Sequence, residues 1–356
     1  MLALRLTRGS RPLVQLRRLL VAAASAATGF LLLYVLAEAV ARPAGSFPRL
    51  LWALVPLAFT ARFAAAVART DPATRPRDGL DVAGLGPVRL TLVAAISTAV
   101  ACTLGAALAL AAFLHLRGDL SGLPFDGARA RLLHAGRPLP VAAALTLLAL
   151  IPLTASAATA CALRRRTPAP QTGLPWGIAL TACGLAVEAY AGHEGPGMLA
   201  GWSLTAVGLA LAGPGVAYAC GALVQAVRPG ALRLLAGRAL QQEAPRLGPS
   251  LGVLCAVAAG ALTALTLPGR GGALVPLGAL TGPAAALVAA CAGATLLTSA
   301  VEIRQSRAAD RDALLGMGAP AGILRTAVGV QAVALVAVCV PLSWGVAQLT
   351  SLALTR

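Results

Sequence analysis

Long apolar runs, broken by short arginine-bearing connections, set the limits on what this chain can fold into. Nine runs reach or approach the roughly 20 residues a helix needs to cross a hydrocarbon core. They cover about residues 19–41, 50–68, 90–113, 139–163, 175–191, 197–227, 249–267, 276–300 and 325–349. In hydrocarbon a backbone must satisfy its N–H and C=O groups internally, so such runs fold as helices. The expected fold class is an all-α polytopic integral membrane protein with about nine transmembrane helices and small extracytoplasmic loops. Pro56, Pro152, Pro214, Pro283 and Pro341 fall inside runs, where neighbouring membrane helices tolerate a kink. The first run follows a basic segment of 18 residues. It is too long for the apolar core of a cleavable signal, so it reads as an anchor.

Composition points the same way. Hydrophobic residues make up 58% of the chain and charged residues only 12%, against roughly 25% charged in soluble domains. A soluble cytosolic enzyme is excluded on that ground. All 29 basic residues are Arg. Without Lys there is no phosphate loop of the GxxxxGK[ST] kind and no Schiff-base chemistry. A net charge of +17 in a soluble chain would suggest nucleic acid. Here the arginines lie between spans, which fits membrane orientation and gives no nucleic-acid partner.

With the N-terminus inside, 20 arginines fall on inner segments and 8 on outer ones, with Arg62 inside the second span. The positive-inside rule then puts the N-terminus in the cytoplasm of a cell (plasma) membrane. Nine spans put the C-terminus outside. The seven cysteines sit inside apolar stretches without a CxxC pair, as small buried hydrophobes do. His115, His134 and His193 are expected in loops, too scattered for a metal site.

The chain also repeats itself. ALRL at Ala3–Leu6 recurs at Ala231–Leu234, each followed by a basic amphipathic stretch and then a span. Such stretches suit helices lying on the inner membrane surface. At a shift of 232, DGLDVAGLG (78–86) meets DRDALLGMG (310–318), pairing Asp78 with Asp310, Gly84 with Gly316 and Gly86 with Gly318. Six spans separate the copies, so both face the same side, as in a parallel repeat. The organisation expected is a basic amphipathic segment at 1–18, a first transmembrane repeat at 19–163, a linker with two spans at 164–227 and a second repeat at 228–356.

At these two segments the sequence resembles the FtsX-like permease family, the membrane subunits of MacB- and lipoprotein-exporter-type ABC systems. The family pattern runs from an acidic residue after a charged stretch, through an aliphatic run, to a Leu-Gly-like pair before a new helix. Asp310 to Gly318, followed by Ala-Pro, fits it well, and Asp78 to Gly86 is a poorer copy. Leu315 and Ala83 stand where a basic residue is usual, and Gln331 and Ala99 where a Glu is usual. The large extracytoplasmic domains of many members have no counterpart, since only about 42–49 separate the first two spans.

The resemblance implies that each segment is a coupling helix that docks on a separate cytoplasmic ABC ATPase. It assigns ATPase coupling to Asp78, Val82, Leu85 and Gly86, and to Asp310, Asp312, Leu314, Met317 and Gly318. The implied function is a permease subunit that couples ATP hydrolysis in its partner to export of an amphiphilic substrate or to mechanical signalling. Further implied partners are membrane lipid and a homodimeric or second permease copy. No catalytic residue, cofactor or metal ligand is expected, since neither HExxH nor a Ser/His/Asp set is present. The same acidic residues could instead cap short helices, and the glycines could serve tight turns.

Three ionisable residues sit in or near spans. Glu38 and Glu188 lie near outer ends, where an interfacial role competes with transport. Arg62 is expected to snorkel to the inner face. A secondary transporter and a non-transporting membrane scaffold remain the alternatives.

Overall fold

The computed structural model describes residues 12–43, 46–71, 87–120, 127–164, 173–190, 196–226, 230–266, 280–307, 316 and 321–355. Among the described residues there are nine long helices. They are α1 (Pro12–Ala41), α2 (Ser46–Thr70), α3 (Pro87–Arg117), α4 (Val141–Arg164), α5 (Gly173–Tyr190), α6 (Pro196–Ala226), α7 (Ala231–Thr266), α8 (Thr281–Ser306) and α9 (Ala321–Thr355). Eight of them are long and apolar enough to cross a membrane, the exception being α5 with its 18 residues. The chain is thus an all-helical protein compatible with a polytopic membrane fold.

The outer surfaces of these helices carry large apolar side chains that a soluble protein would bury. On α3, Leu92, Ile96, Val100, Leu104 and Leu108 recur every four residues and are all exposed. Val333, Val336, Val340 and Trp344 form a similar stripe on α9. A spacing of three or four keeps such residues on one helix face, and a continuous apolar face of that length is matched by lipid.

Two compact units divide the chain. The first comprises Met1–Arg166 with Pro276–Cys291. In it α1 packs against α2, α3 and α4, while α4 also packs on α2 and α3. Side chains fill this bundle. Leu31, Leu32, Leu33, Phe63, Phe113 and Ile151 are buried, and Phe30 meets Phe113 edge to face with centroids 5.6 Å apart. Thr28 and Thr60 share a buried hydrogen bond of 2.6 Å between α1 and α2. Close backbone approach is needed at Gly105, whose absent Cβ would lie 2.8 Å from Ser25 Cβ of α1.

The second unit comprises Thr167–Val275 with Ala292–Arg356. Here α6 packs along both α5 and α7, and α9 packs on α5, α6 and α7. Leu209, Cys255, Ala259, Val346 and Ala347 form its apolar cluster. Glycines dominate the α5–α6 and α6–α7 contacts. A Cβ on Gly201 would stand 2.7 Å from Glu188 Cγ, and one on Gly221 would stand 2.7 Å from the Gly237 carbonyl. Gly213 and Gly248 bring the α6 and α7 backbones together in the same way. In lipid the hydrophobic effect does not drive helices together, so small residues that let backbones touch supply the packing.

Where they are described, the basic stretches after the two ALRL sequences belong to the helices that follow, whereas the sequence predicts separate surface-lying helices; residues 1–11 lie outside the described residues. Residues 12–18 are the first turns of α1, and residues 231–247 are the first half of α7, continuous with the spans that follow. The 36 residues of α7 rise about 54 Å, well beyond a hydrocarbon core of about 30 Å. Its amphipathic half is held in the unit: Ala236, Leu240, Ala244 and Gly248 recur every four residues and are buried. Neighbouring helices cover these four positions, while Leu234 and Leu235 on the same half stay exposed. His115, expected in a loop, lies in the last turn of α3.

Candidate functional site

The sequence-predicted coupling residues lie outside the described residues. This holds for Asp78, Val82, Leu85 and Gly86, and for Asp310, Asp312, Leu314, Met317 and Gly318. Gly316, between them, is described and is exposed. The helices that frame each segment are described, and they show what holds its ends.

Before the first segment, α2 ends at Thr70, capped by its own hydroxyl on the Val67 carbonyl at 2.9 Å. The next residue, Asp71, pairs with Arg18 of α1 at 2.6 Å. Before the second segment, α8 ends at Ser306, and the next residue, Arg307, pairs with Glu243 of α7 at 2.8 Å. Each pair joins the residue just past one helix to a helix that starts on the same side of its unit. The signs are exchanged between the two. After the second segment, Gln331 of α9 donates its side-chain amide to the Ala236 carbonyl of α7 at 3.0 Å. Gln331 is thus bonded to a backbone group that α7 would otherwise satisfy only within itself.

Glu38 gathers charge at the opposite end of α1. Its Oε1 lies 3.2 Å from Arg42 Nη1 and 3.1 Å from Arg49 Nη1, and its Oε2 lies 3.4 Å from His134 Nε2. Arg137 donates to the Val40 carbonyl at 2.9 Å. The cluster therefore pins the end of α1 to the start of α2 and to the turns at 127–137. His134 holds a φ of 52°, a conformation that is unfavourable for a residue with a Cβ. Sequence reasoning singled out Glu38 but missed its partners Arg49 and His134. Their convergence depends on the turn at 127–137, which leaves no periodic signal.

Glu188 has a different setting. It is 1% exposed, and Thr205 Oγ1 of α6 lies 3.0 Å from its Oε1 and 3.1 Å from the Gly201 carbonyl. Thr350 of α9 stands beside the same carboxyl group. Hydroxyls and glycine backbone surround it, and no ion pair to it is present among the described residues. Arg62 is on the exposed face of α2, two turns from Arg69 and on the same side of the helix.

The arrangement can do three things chemically. It can brace the entry to each charged segment through a single ion pair. It can hold a charged latch at the far end of the first unit. It can keep one carboxyl group inside the second unit in contact with hydroxyl donors. Compared with models of known families, with curated proteins and with solved structures, the chain finds no match.

Proposed function

We propose that the chain is the permease subunit of an ABC-type complex in the plasma membrane. It couples ATP hydrolysis by a separate cytoplasmic ATPase to export of an amphiphilic substrate or to transmission of force across the bilayer. The observation that carries this reading is the matched framing of the two motif segments. α2 and α8 begin at Ser46 and Thr281 and end at Thr70 and Ser306, offsets of 235 and 236. α3 and α9 begin at Pro87 and Ala321, an offset of 234. The motif itself repeats at 232, Asp78 to Asp310. A charged ion pair sits one residue past the helix in each copy. Helix, segment and helix thus recur together, which supports two degenerate parallel repeats and two equivalent docking segments.

The reading needs both segments on one side of the membrane. Between them lie α3, α4, α5, α6, α7 and α8. If α5 crosses, the count is even and the segments share a face. If α5 only dips in, they face opposite sides and one ATPase layer cannot reach both. The 18 residues of α5 rise about 27 Å, close to the core thickness. Trp176 and Tyr190 near its ends are 70% and 92% exposed, as anchors at two interfaces would be. We therefore take nine spans, with the N-terminus cytoplasmic and the C-terminus outside.

The experiment is purification of the tagged chain from its own cells in mild detergent. An ABC ATPase should accompany it, with ATP turnover that a clean chain lacks. Replacing Leu314 and Met317 together by Asp should remove the ATPase while leaving the chain in the membrane, because charge would enter an apolar contact. The change Val82→Asp with Leu85→Asp should act more weakly. A wild-type chain that brings no ATPase with it overturns the proposal.

Glu188 favours one competing reading, a secondary transporter, since a buried carboxyl in a membrane protein is a transport candidate. The change Glu188→Gln separates the two. Under the ABC reading it leaves stimulated ATP turnover intact, whereas a secondary transporter would lose ion-driven flux with no ATPase involved.

A further inference from the structure

A cavity of about 320 Å³ opens at one end of the first unit, between the last turns of α3, the start of α4 and the residues 135–139 that lead into α4. Leu110, Leu114, Val141 and Leu145 line one part of it, and Arg117, Asp119 and Arg137 line the other. Its volume lies at the lower end of the range for pockets that hold small organic ligands.

Arg117 is the unusual feature. Its side chain is 3% exposed. One terminal nitrogen donates to the Arg137 carbonyl. The Nε faces Asp119 Oδ2 at 3.3 Å, and that carboxylate is half in solvent at 45% exposure. Nε and Nη1 are both buried and neither has a hydrogen-bond partner among the described residues, the Asp119 contact being an ion pair only. A guanidinium has five donors in a rigid fork. To bury one with a donor unmet is costly unless an acceptor arrives. Arg137 adds a second cation to the lining, so the cavity carries more positive than negative charge.

The apolar part gives the other half of the chemistry. Val141 and Leu145 are 66% and 53% exposed, and they continue along α4 to Leu153, which is 63% exposed. The cavity therefore runs from a buried cation out onto a helix face that carries unpartnered apolar side chains. A free inorganic anion would use the first part and leave the second empty. A neutral lipid would use the second and leave Arg117 unmet.

We propose that this cavity binds an anionic amphiphile: a phosphate or carboxylate head on Arg117, with its acyl chain along Leu110, Leu114, Val141 and Leu145. The fork geometry of Arg suits either head, since both present two oxygens to it. The proposal rests on the membrane reading of the fold and not on the coupling to an ATPase, so it can fail or stand independently of the permease assignment.

The test uses the full chain purified in a neutral detergent. Binding is followed by native mass spectrometry and by retention of fluorescent lipid through washing. The probes are a phosphatidylglycerol, oleate, a diacylglycerol of the same chains, and inorganic phosphate as competitor. Phosphatidylglycerol and oleate should bind saturably, one per chain, and the diacylglycerol, which has no anionic head, should bind about tenfold more weakly or worse. Arg117→Gln should lower anionic binding about tenfold, and Arg117→Lys should restore part of it. Leu145→Trp alters an exposed position, so it should leave the fold intact. It should still block the acyl path and weaken the lipid. Equal binding of phosphatidylglycerol by wild type and by a folded Arg117→Gln chain overturns the proposal. So does inorganic phosphate that displaces the lipid at equal concentration, since that marks a site for the free anion. If Arg117→Gln fails to fold, unchanged binding by Leu145→Trp overturns it on its own.

Discussion

The two units solve the packing problem in different ways. The first packs mainly side chain on side chain, with Phe30 on Phe113 and a run of buried leucines along α1, and makes its close backbone approach at Gly105. The second packs backbone on backbone, through Gly201, Gly213, Gly221, Gly237 and Gly248. A side-chain core can yield by shifting a rotamer. Backbone contact cannot yield without moving a helix. The second unit should therefore be the less forgiving of added bulk, and the first the more sensitive to lost volume.

The largest effect is expected at Gly248. A Cβ there would overlap the Pro214 backbone and press on Gly213 of α6, so Gly248→Leu must separate α6 from α7. It should cost about 3 kcal/mol or abolish the folded form, read as detergent-denaturant unfolding of the purified chain. A shift under about 1 kcal/mol would break the contrast between the units.

Next is Phe113→Ala, which removes a ring with no exposure at all. In lipid the removed ring loses packing rather than transfer from water. About 2 kcal/mol is expected, below the range for soluble cores. Unfolding followed by near-ultraviolet circular dichroism checks it, and the loss should fall on the first unit.

The ion pairs sharpen the comparison at the segment entrances. Glu243 is 10% exposed and Arg307 39%, whereas Arg18 is 43% exposed and Asp71 12%. Glu243→Gln should cost about 1 kcal/mol, because Arg307 can turn to water once its partner is gone. Arg18→Gln should cost as much, about 1 kcal/mol, because Asp71 is as buried as Glu243 and loses its cation. The double change Glu243→Arg with Arg307→Glu should recover most of the loss in the second unit. The smallest effect is expected for Gly293→Ala, where nothing lies within 4 Å of the added Cβ. Its unfolding curve should overlay that of wild type.

Much of the helix layout is legible in the sequence, and the reason is physical. A helix in lipid must be apolar over a fixed length, so composition alone marks it. The run at 139–163 becomes α4 at Val141–Arg164, and the run at 197–227 becomes α6 at Pro196–Ala226. Which helices pair is not legible. Their faces are apolar all round, so no periodicity marks the buried side. The length of α7 was missed for a related reason. A basic amphipathic stretch ahead of a span signals a headgroup surface, yet Glu243 and Gln331 are polar partners that let the stretch join a bundle instead. The isolated buried Arg117 gives no sequence signal either, since an arginine at a helix end reads as an interfacial charge.

The most direct measurement is single-cysteine labelling in a cysteine-free chain, with cysteine placed in turn at Gly79, Ala313, Pro170 and Gly122. A membrane-impermeant maleimide is applied to intact and to permeabilised cells. Positions 79, 313 and 170 should label only after permeabilisation, and position 122 should label in intact cells. Labelling of 79 and 313 from opposite sides would show that α5 does not cross, and would contradict two equivalent docking segments on one face.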